Sequence, residues 1–260
     1  MTRIAVLGAN GRMGRAVVRL ATEKERALEV VAAIGTGDEG KDAGELAGAG
    51  KIGVPITSDA GVLASSNADV LVDFSAPVAL LAAIPKCEEA GIAIVSGTTG
   101  LDDATKSALE RAQKKIAVIW EPNMSVGIHV LADLVGKALA ALGPGYDVEV
   151  VETHHRMKAD APSGTAIRLG DVVKNARSGR YQHGREGRPG PRKPEEIGMH
   201  ALRGGDVIGD HTVFFFGDGE RIELTHRASS RDLFAHGALR CARWVAGKGP
   251  GRYSLADVLA

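Results

Sequence analysis

The chain has 260 residues, enough to bury one large core or two modest ones, and its 32 basic side chains balance 32 acidic ones. That balance excludes the broad basic field that draws proteins to nucleic acid or anionic membranes, so any anion site must be local. Two cysteines, Cys87 and Cys241, lie far apart and outside any CxxC pattern, which argues against a disulfide framework or a zinc site.

The opening MTRIAVLGANGRMG lacks the apolar core of a signal peptide, and Asp73, Pro77 and Pro85 interrupt the longest apolar region before it could span a bilayer. A soluble, cytoplasmic protein without a membrane partner is expected. From Arg3 to Leu7 the chain predicts a short strand, followed by a glycine-rich turn and a helical run, RMGRAVVRLATEKE, from Arg12 to Glu25. Further apolar runs follow at Leu28–Ile34, Ala68–Phe74, Gly91–Gly97 and Ile116–Pro122, with the helix-like PVALLAAIPKCEEAG and DDATKSALERAQKK between several of them. Runs without polar alternation suit strands buried on both faces, and βα repetition implies a doubly wound parallel sheet of the Rossmann type.

After Asn123 the texture changes. SVGIHVLADLVGKALAALG predicts a long helix, YDVEVVETHH a strand carrying Glu149 and Glu152 among apolar residues, and TAIRLGDVVKNA another helix. RSGRYQHGREGRPGPRKPEEIG reads as a basic Gly/Pro-rich loop, solvated or facing another subunit and nearly free of the aromatic residues a nucleic-acid site would use. Beyond it, β-type runs joined by Gly-Gly, Gly-Asp and Asp-Gly turns predict several antiparallel strands, and helical spacing returns from Asp232 to Ala246. The expected organisation is a dinucleotide-binding domain of residues 1–124 and 232–260, and a second α/β domain of residues 125–231 with a largely antiparallel mixed sheet.

In VLGANGRMG, Gly8, Gly11 and Gly14 follow a strand and open a helix, the context in which glycines let a backbone approach a pyrophosphate at a helix N-terminus. Asn10 stands where the middle glycine of such motifs often does, and asparagine tolerates a left-handed backbone. An acid or an arginine at the end of the second strand would choose between NADH and NADPH, but Gly35 and Thr36 occupy those places. Asp38 comes slightly late, Arg12 and Lys41 could serve a phosphate, and solvated charge explains Asp38 and Lys41 equally well. The choice of coenzyme stays open. SGTTG (Ser96–Gly100) and EPNMSVG (Glu121–Gly127) end predicted strands where open α/β sheets bind ligands, with Gly97, Thr98 and Thr99 able to meet a nicotinamide carboxamide or ribose.

The densest chemistry lies in VETHHRMKADAPSGTA, from Val151 to Ala166. His154 and His155 end a strand and point to opposite sides. A lysine ammonium such as that of Lys158 can donate a proton or hydrogen bond and neutralise a carboxylate, and a histidine can exchange protons near neutral pH. Ser163, Gly164 and Thr165 start a predicted helix, whose free N–H groups make an anion seat. Together they point to carboxylate capture beside a proton donor. A metal site is disfavoured, because no third ligand has suitable spacing and the pair is not of the HExxH type. The plainer alternative is a pair of satisfied surface histidines and a serine that merely caps a helix.

GANGRMG, DFSAP, SGTTG, EPNMSVG, VETHHRMKADAPSGTA, RGGDVIGDHTV and ELTHRASSR stand in the order found in the 4-hydroxy-tetrahydrodipicolinate reductase family, which the chain resembles over nearly its whole length. The resemblance implies a Rossmann domain joined to an α/β substrate-binding and tetramerisation domain, in a homotetramer. It also implies NADPH or NADH as cofactor, and reduction of a small cyclic dicarboxylate to tetrahydrodipicolinate with loss of water, in lysine and diaminopimelate synthesis. By position, His154 resembles the family's acid–base histidine, Lys158 its proton donor and His155 a substrate contact, while Ser163, Gly164 and Thr165 resemble its carboxylate seat. Gly8, Ala9, Asn10, Gly11, Arg12 and Met13, then Gly97, Thr98 and Thr99, then Glu121, Pro122, Asn123 and Met124, fall on its cofactor loops. Two rivals remain. One is another two-domain amino-acid or aspartate-type dehydrogenase, which a substrate screen separates. The other is a non-catalytic NAD(P)-sensing regulator, which would not need the His-Lys cluster.

Overall fold

The apolar run at the start of the chain forms strand β1 (Thr2–Leu7), and its last four residues are almost wholly buried. The computed structural model describes residues 1–23 and 27–260; Lys24 and Glu25, the end of the helical run expected from Arg12, lie outside the described residues. In chain order there follow α1 (Arg12–Ala21), β2 (Leu28–Ile34), α2 (Ala43–Ala47), β3 (Ile56–Thr57), β4 (Val70–Asp73), α3 (Pro77–Ala90), β5 (Ala93–Ser96), α4 (Asp103–Ala112) and β6 (Ala117–Trp120). Then come α5 (Val126–Leu142), β7 (Asp147–His154), α6 (Gly164–Arg177), β8 (Arg180–His183), β9 (Glu196–Arg203), β10 (Asp210–Gly217), β11 (Glu220–Arg227), α7 (Asp232–Val245), β12 (Gly251–Tyr253) and α8 (Leu255–Leu259). These residues form two units, Met1–Ser125 with Asp232–Ala260, and Val126–Arg231.

The first unit is built on a parallel sheet of order β12-β6-β5-β4-β1-β2-β3. Every residue of β4 and β5 is buried, which explains why these strands read as unbroken apolar runs. On one side α3 and α4 bury Leu80, Ile84, Cys87 and Leu109 in a core shared with Leu71, Ile94 and Val118. Helix α7 joins this unit from the far end of the chain, and Arg19 pairs with Asp232 at 2.8 Å. A Cβ at Gly237 would stand 1.8 Å from the Met124 carbonyl oxygen, so only glycine allows α7 so close to that loop. The short elements α2, β3, β12 and α8 have no clear periodic signal. They are held by caps and edge pairing: Asp42 accepts from the N–H groups of Gly44, Glu45, Ile52 and Gly53, and β12 pairs with β6.

The second unit carries a mixed sheet of order β11-β10-β7-β9-β8, in which β10 pairs antiparallel with β7 and β11, while β9 pairs parallel with β7 and β8. Helices α5 and α6 cover one face, packing Ile128, Leu131, Val135 and Leu169 against Val148, Val150, Val213 and Phe215. On the other face Phe214 and Phe216 stack with ring centroids 5.6 Å apart, and Phe216 is 39% exposed.

The basic stretch expected to be a solvated loop is in part structured. Residues Arg180–His183 form edge strand β8, with the Tyr181 hydroxyl donating to Asp171, and Arg185 and Arg192 turn inward onto Glu149 at 2.9 and 3.0 Å. Burial works against ionisation of Glu149, but Arg185, His200 and Arg192 outweigh it and hold the carboxyl down at about 2. Edge pairing and acid partners from distant strands, neither visible in a local window, account for the difference.

Candidate active site

Parallel strands deliver their carboxyl ends to one edge of a sheet, and in the first unit that edge gathers the glycine loop and the loops after β4, β5 and β6. Gly8 has φ of +80°, and a Cβ there would stand 2.6 Å from the Phe74 carbonyl oxygen; at Gly14 it would stand 2.0 Å from that of Gly8. Both glycines are required by close packing. Gly11 occupies the N-cap of α1 without a side-chain cap, so the first N–H groups of the helix, from Arg12 and Met13, are left for an anion. This uncapped turn fits a dinucleotide's pyrophosphate. Ala9 is buried, and its N–H donates to the Ile34 carbonyl.

Gly35, which sat where an acid was expected, makes room for Asn10: a Cβ there would be 2.3 Å from the Asn10 Oδ1. The Asn10 amide donates to the Thr36 carbonyl at 2.6 Å and to Asp38 at 3.2 Å, and so draws Asp38 to the glycine loop. Lys41 pairs with the same carboxylate at 2.8 Å, and Lys41 and Asn10 hold its pKa below the ordinary value. Asp38, which comes late by sequence spacing, is thus tied to the glycine loop by a side-chain bridge across the turn.

At the end of β4, Asp73 is fully buried and met by hydroxyl and amide donors. Its Oδ1 accepts from the N–H and hydroxyl of Ser75 at 2.9 and 2.5 Å, and its Oδ2 from Ser96 and Thr98 hydroxyls at 2.6 and 2.7 Å. Burial raises its pKa against the opposing pull of these donors. The Thr98 hydroxyl is thus committed to the protein, and the Trp120 indole N–H donates to the Thr98 carbonyl. Gly97 lies against the Phe74 ring, while Thr99 is exposed. In the next loop Glu121 accepts from the Leu255 N–H, Asn123 accepts from the Ser125 N–H, and Met124 is 1% exposed. Those side chains brace the loop. Glu121 and Met124 are turned into the unit.

The second cluster is built on the pleat of β7, where Val148, Val150, Glu152 and His154 share the buried face. His154 Nδ1 lies 2.6 Å from Glu152 Oε2. Glu152 also accepts two bonds from the Arg203 guanidinium, both at 2.8 Å, and one from the Ser163 N–H at 3.0 Å. Burial alone would raise the Glu152 pKa; Arg203, His154 and Ser163 reverse the sign and hold it down.

Ser163 caps α6 by accepting the Ala166 N–H at 3.1 Å, and its hydroxyl lies 3.1 Å from His211 Nε2. The His211 ring meets that of His154 edge-on at 5.2 Å, and burial, reinforced by His154, pushes its pKa down to about 4. Lys158 Nζ pairs with Asp160 at 2.8 Å. At Gly164, the first residue of α6, a Cβ would meet nothing within 4 Å, so there is open space beside it.

The structure therefore brings together His154, Lys158 and the Ser163–Thr165 turn, with Ser163's own polar groups already spent. His155 stands half-exposed just past the strand, and its carbonyl accepts the Lys158 N–H. Sequence reasoning missed Arg203, His211 and the role of Glu152. One signal was present: Glu152 and His154 continue the inward phase begun by Val148 and Val150. Arg203 and His211 come from β9 and β10, whose pairing with β7 no local window reveals.

Residues 2–124 match the family model described as dihydrodipicolinate reductase, N-terminus, and residues 127–259 that described as dihydrodipicolinate reductase, C-terminus. The chain is 48% identical to the 4-hydroxy-tetrahydrodipicolinate reductase of Anaeromyxobacter dehalogenans, covering 100% of this chain and 98% of the relative. It is 47% identical to that of Chromohalobacter salexigens with the same coverage. Among solved structures, the dipicolinate-bound dihydrodipicolinate reductase from Paenisporosarcina sp. TG-14 superposes with a TM-score of 0.78 at 26% identity, over 98% of this chain and 97% of that one. Matched through both halves and along its length, the chain belongs to the 4-hydroxy-tetrahydrodipicolinate reductase family, and is an oxidoreductase that uses a nicotinamide cofactor.

Proposed function

We infer that this chain catalyses the NAD(P)H-dependent reduction of 4-hydroxy-2,3,4,5-tetrahydrodipicolinate to 2,3,4,5-tetrahydrodipicolinate with loss of water, in lysine and diaminopimelate biosynthesis. The observation that carries the reading is the convergence of His154, Lys158 and the N-terminal turn of α6 in a chain that matches the family from end to end. Residues 1–125 and 232–260 serve as the dinucleotide-binding domain, and 126–231 as the substrate-binding and oligomerisation domain.

The glycine loop, from Gly8 to Met13, seats the coenzyme's pyrophosphate on the N–H groups that Gly11 leaves uncapped. The coenzyme, when bound, supplies a hydride. Asp38 accepts from ribose hydroxyls, while Arg12 and Lys41 favour a 2′-phosphate, so both coenzymes serve. Gly97, Thr98 and Thr99, and the Glu121–Met124 loop, shape the nicotinamide end through their backbones.

Gly164 and Thr165 N–H groups hold one substrate carboxylate, on a turn whose shape Ser163 fixes, and His155 supplies a further polar contact. Reduction with loss of water consumes one proton. Lys158 Nζ delivers it, Asp160 aims the ammonium, and His154 exchanges protons beside it. The open sheet face with Phe214 and Phe216 is the surface on which copies of the chain assemble into a homotetramer.

Coenzyme oxidation should follow addition of pyruvate, aspartate semialdehyde and the synthase that generates the substrate, with either coenzyme. Asp38→Ala should lower kcat/KM for NADH about 10-fold while sparing NADPH, the size of one lost charge-assisted contact. No oxidation despite coenzyme binding would contradict the assignment. Lys158→Ala should cut kcat on the order of 100- to 10,000-fold with coenzyme affinity intact; unchanged turnover would remove Lys158 from the reaction. Sedimentation should give the mass of four chains, and a monomer would refute the assembly.

His211 binds fewer protons folded than unfolded between its depressed value of about 4 and its ordinary value of 6.5, so its contribution is present above that window and lost as pH falls through it. At most roughly 3 kcal/mol rides on this shift. Melting temperature should fall with pH across the window, and His211→Asn should flatten the slope.

A further inference from the structure

We propose that Glu152 is the positioning residue of the acid–base histidine: its Oε2 locks His154 with the proton on Nδ1, so that Nε2 is the nitrogen offered to the substrate, while its Oε1 holds the start of the anion-seating turn. The proposal rests on the assignment of His154 to proton exchange made above, and it adds a residue and a protonation geometry to it.

Val148 and Val150 put apolar side chains on the buried face of β7, and the next two inward positions are Glu152, at 0% exposure, and His154, at 8%. A buried carboxylate is costly unless its acceptor sites are filled. Here four donors fill them: two Arg203 N–H groups, the Ser163 N–H, and His154 Nδ1 at 2.6 Å. Apolar residues of similar volume would stabilise a sheet at least as well as a buried ion pair, so stability alone does not call for this arrangement.

Its chemical consequence is definite. Arg203 holds Glu152 ionised, and an ionised carboxylate only accepts hydrogen bonds. The imidazole must therefore donate through Nδ1, which leaves Nε2 bare in the neutral ring and protonated in the cation. The space beside Nε2 is kept by Gly209, where a Cβ would stand 3.0 Å away. Arg203 does a second task, donating to the Asp160 carbonyl at 2.6 Å, which ties the loop bearing Lys158 to the same carboxylate. The other ionisable groups around the pair are His211 of β10, edge-on to the His154 ring, His226 of β11, opposite His211 in the ladder, and the Lys158–Asp160 pair.

The test is a long-range proton–nitrogen correlation spectrum of the full-length protein with nitrogen-labelled histidines, recorded where imidazoles are neutral, with His154→Gln used to assign the His154 signals. In the wild type His154 should show a protonated Nδ1 and a bare Nε2. Finding the proton on Nε2 overturns the proposal without recourse to any variant. Glu152→Gln, whose amide can donate as well as accept, should mix or reverse the tautomers and lower kcat on the order of 100-fold or more, as wrong-tautomer histidines do elsewhere. Its KM for NADPH should stay unchanged. A folded Glu152→Gln protein with wild-type kcat, beside a slow His154→Gln protein, overturns the positioning role alone. Wild-type turnover in His154→Gln overturns the acid–base assignment and the positioning role with it.

Discussion

A carboxylate taken out of water must be met by as many donors as it has acceptor sites, and in the second unit that requirement falls on Glu152. Its partners come from β9, from the start of α6 and from its own strand, so satisfying one side chain draws three pieces of chain to one point. The loop from His155 to Pro162 is thereby held at both ends, between a strand and a capped helix. Lys158 lies within that span and the Ser163–Thr165 turn at its end, because the chain between Glu152 and Ser163 has only a short distance to cover.

The first unit depends on a different constraint, the common direction of its strands. Parallel pairing puts every strand's carboxyl end on the same edge, where the loops carrying Gly8, Ser75, Thr98 and Asn123 meet. Asp73 then works below these loops much as Glu152 does in its own unit, gathering hydroxyls from Ser75, Ser96 and Thr98. The contrast lies in the partners: Asp73 has hydroxyl and amide donors, Glu152 a guanidinium and an imidazole. Burial accordingly raises the first carboxyl's pKa and fails to raise the second's.

Much of this was legible in the residues. Strands β1, β2, β4, β5 and β6 announced themselves because burial on both faces demands continuous apolar runs, and α5 because a long helix repeats its signal over several turns. Edge strands β8 and β12 did not, since three or four backbone pairings stabilise a segment of almost any composition. The contact of Asp38 with the glycine loop was hidden for a related reason: counting residues from the strand end ignores the Asn10 amide that bridges the turn.

What the sequence by itself determined is the set of local necessities: glycine at Gly14, where the start of α1 nearly touches the Gly8 backbone, hydrophobic period in strands and helices, and a histidine–lysine stretch running into a helix cap. Each is enforced by neighbours a few residues away or by solvent, and so leaves a mark in a short window. Only the tertiary structure decided which carboxylate faces which base. Arg203 reaches Glu152 across 51 positions and His211 reaches Ser163 across 48, through strand pairings whose register is set by the whole sheet. Hydrogen bonds between such distant residues depend on that register to within one position, because a slip of one residue would turn Glu152 and His154 to the opposite face.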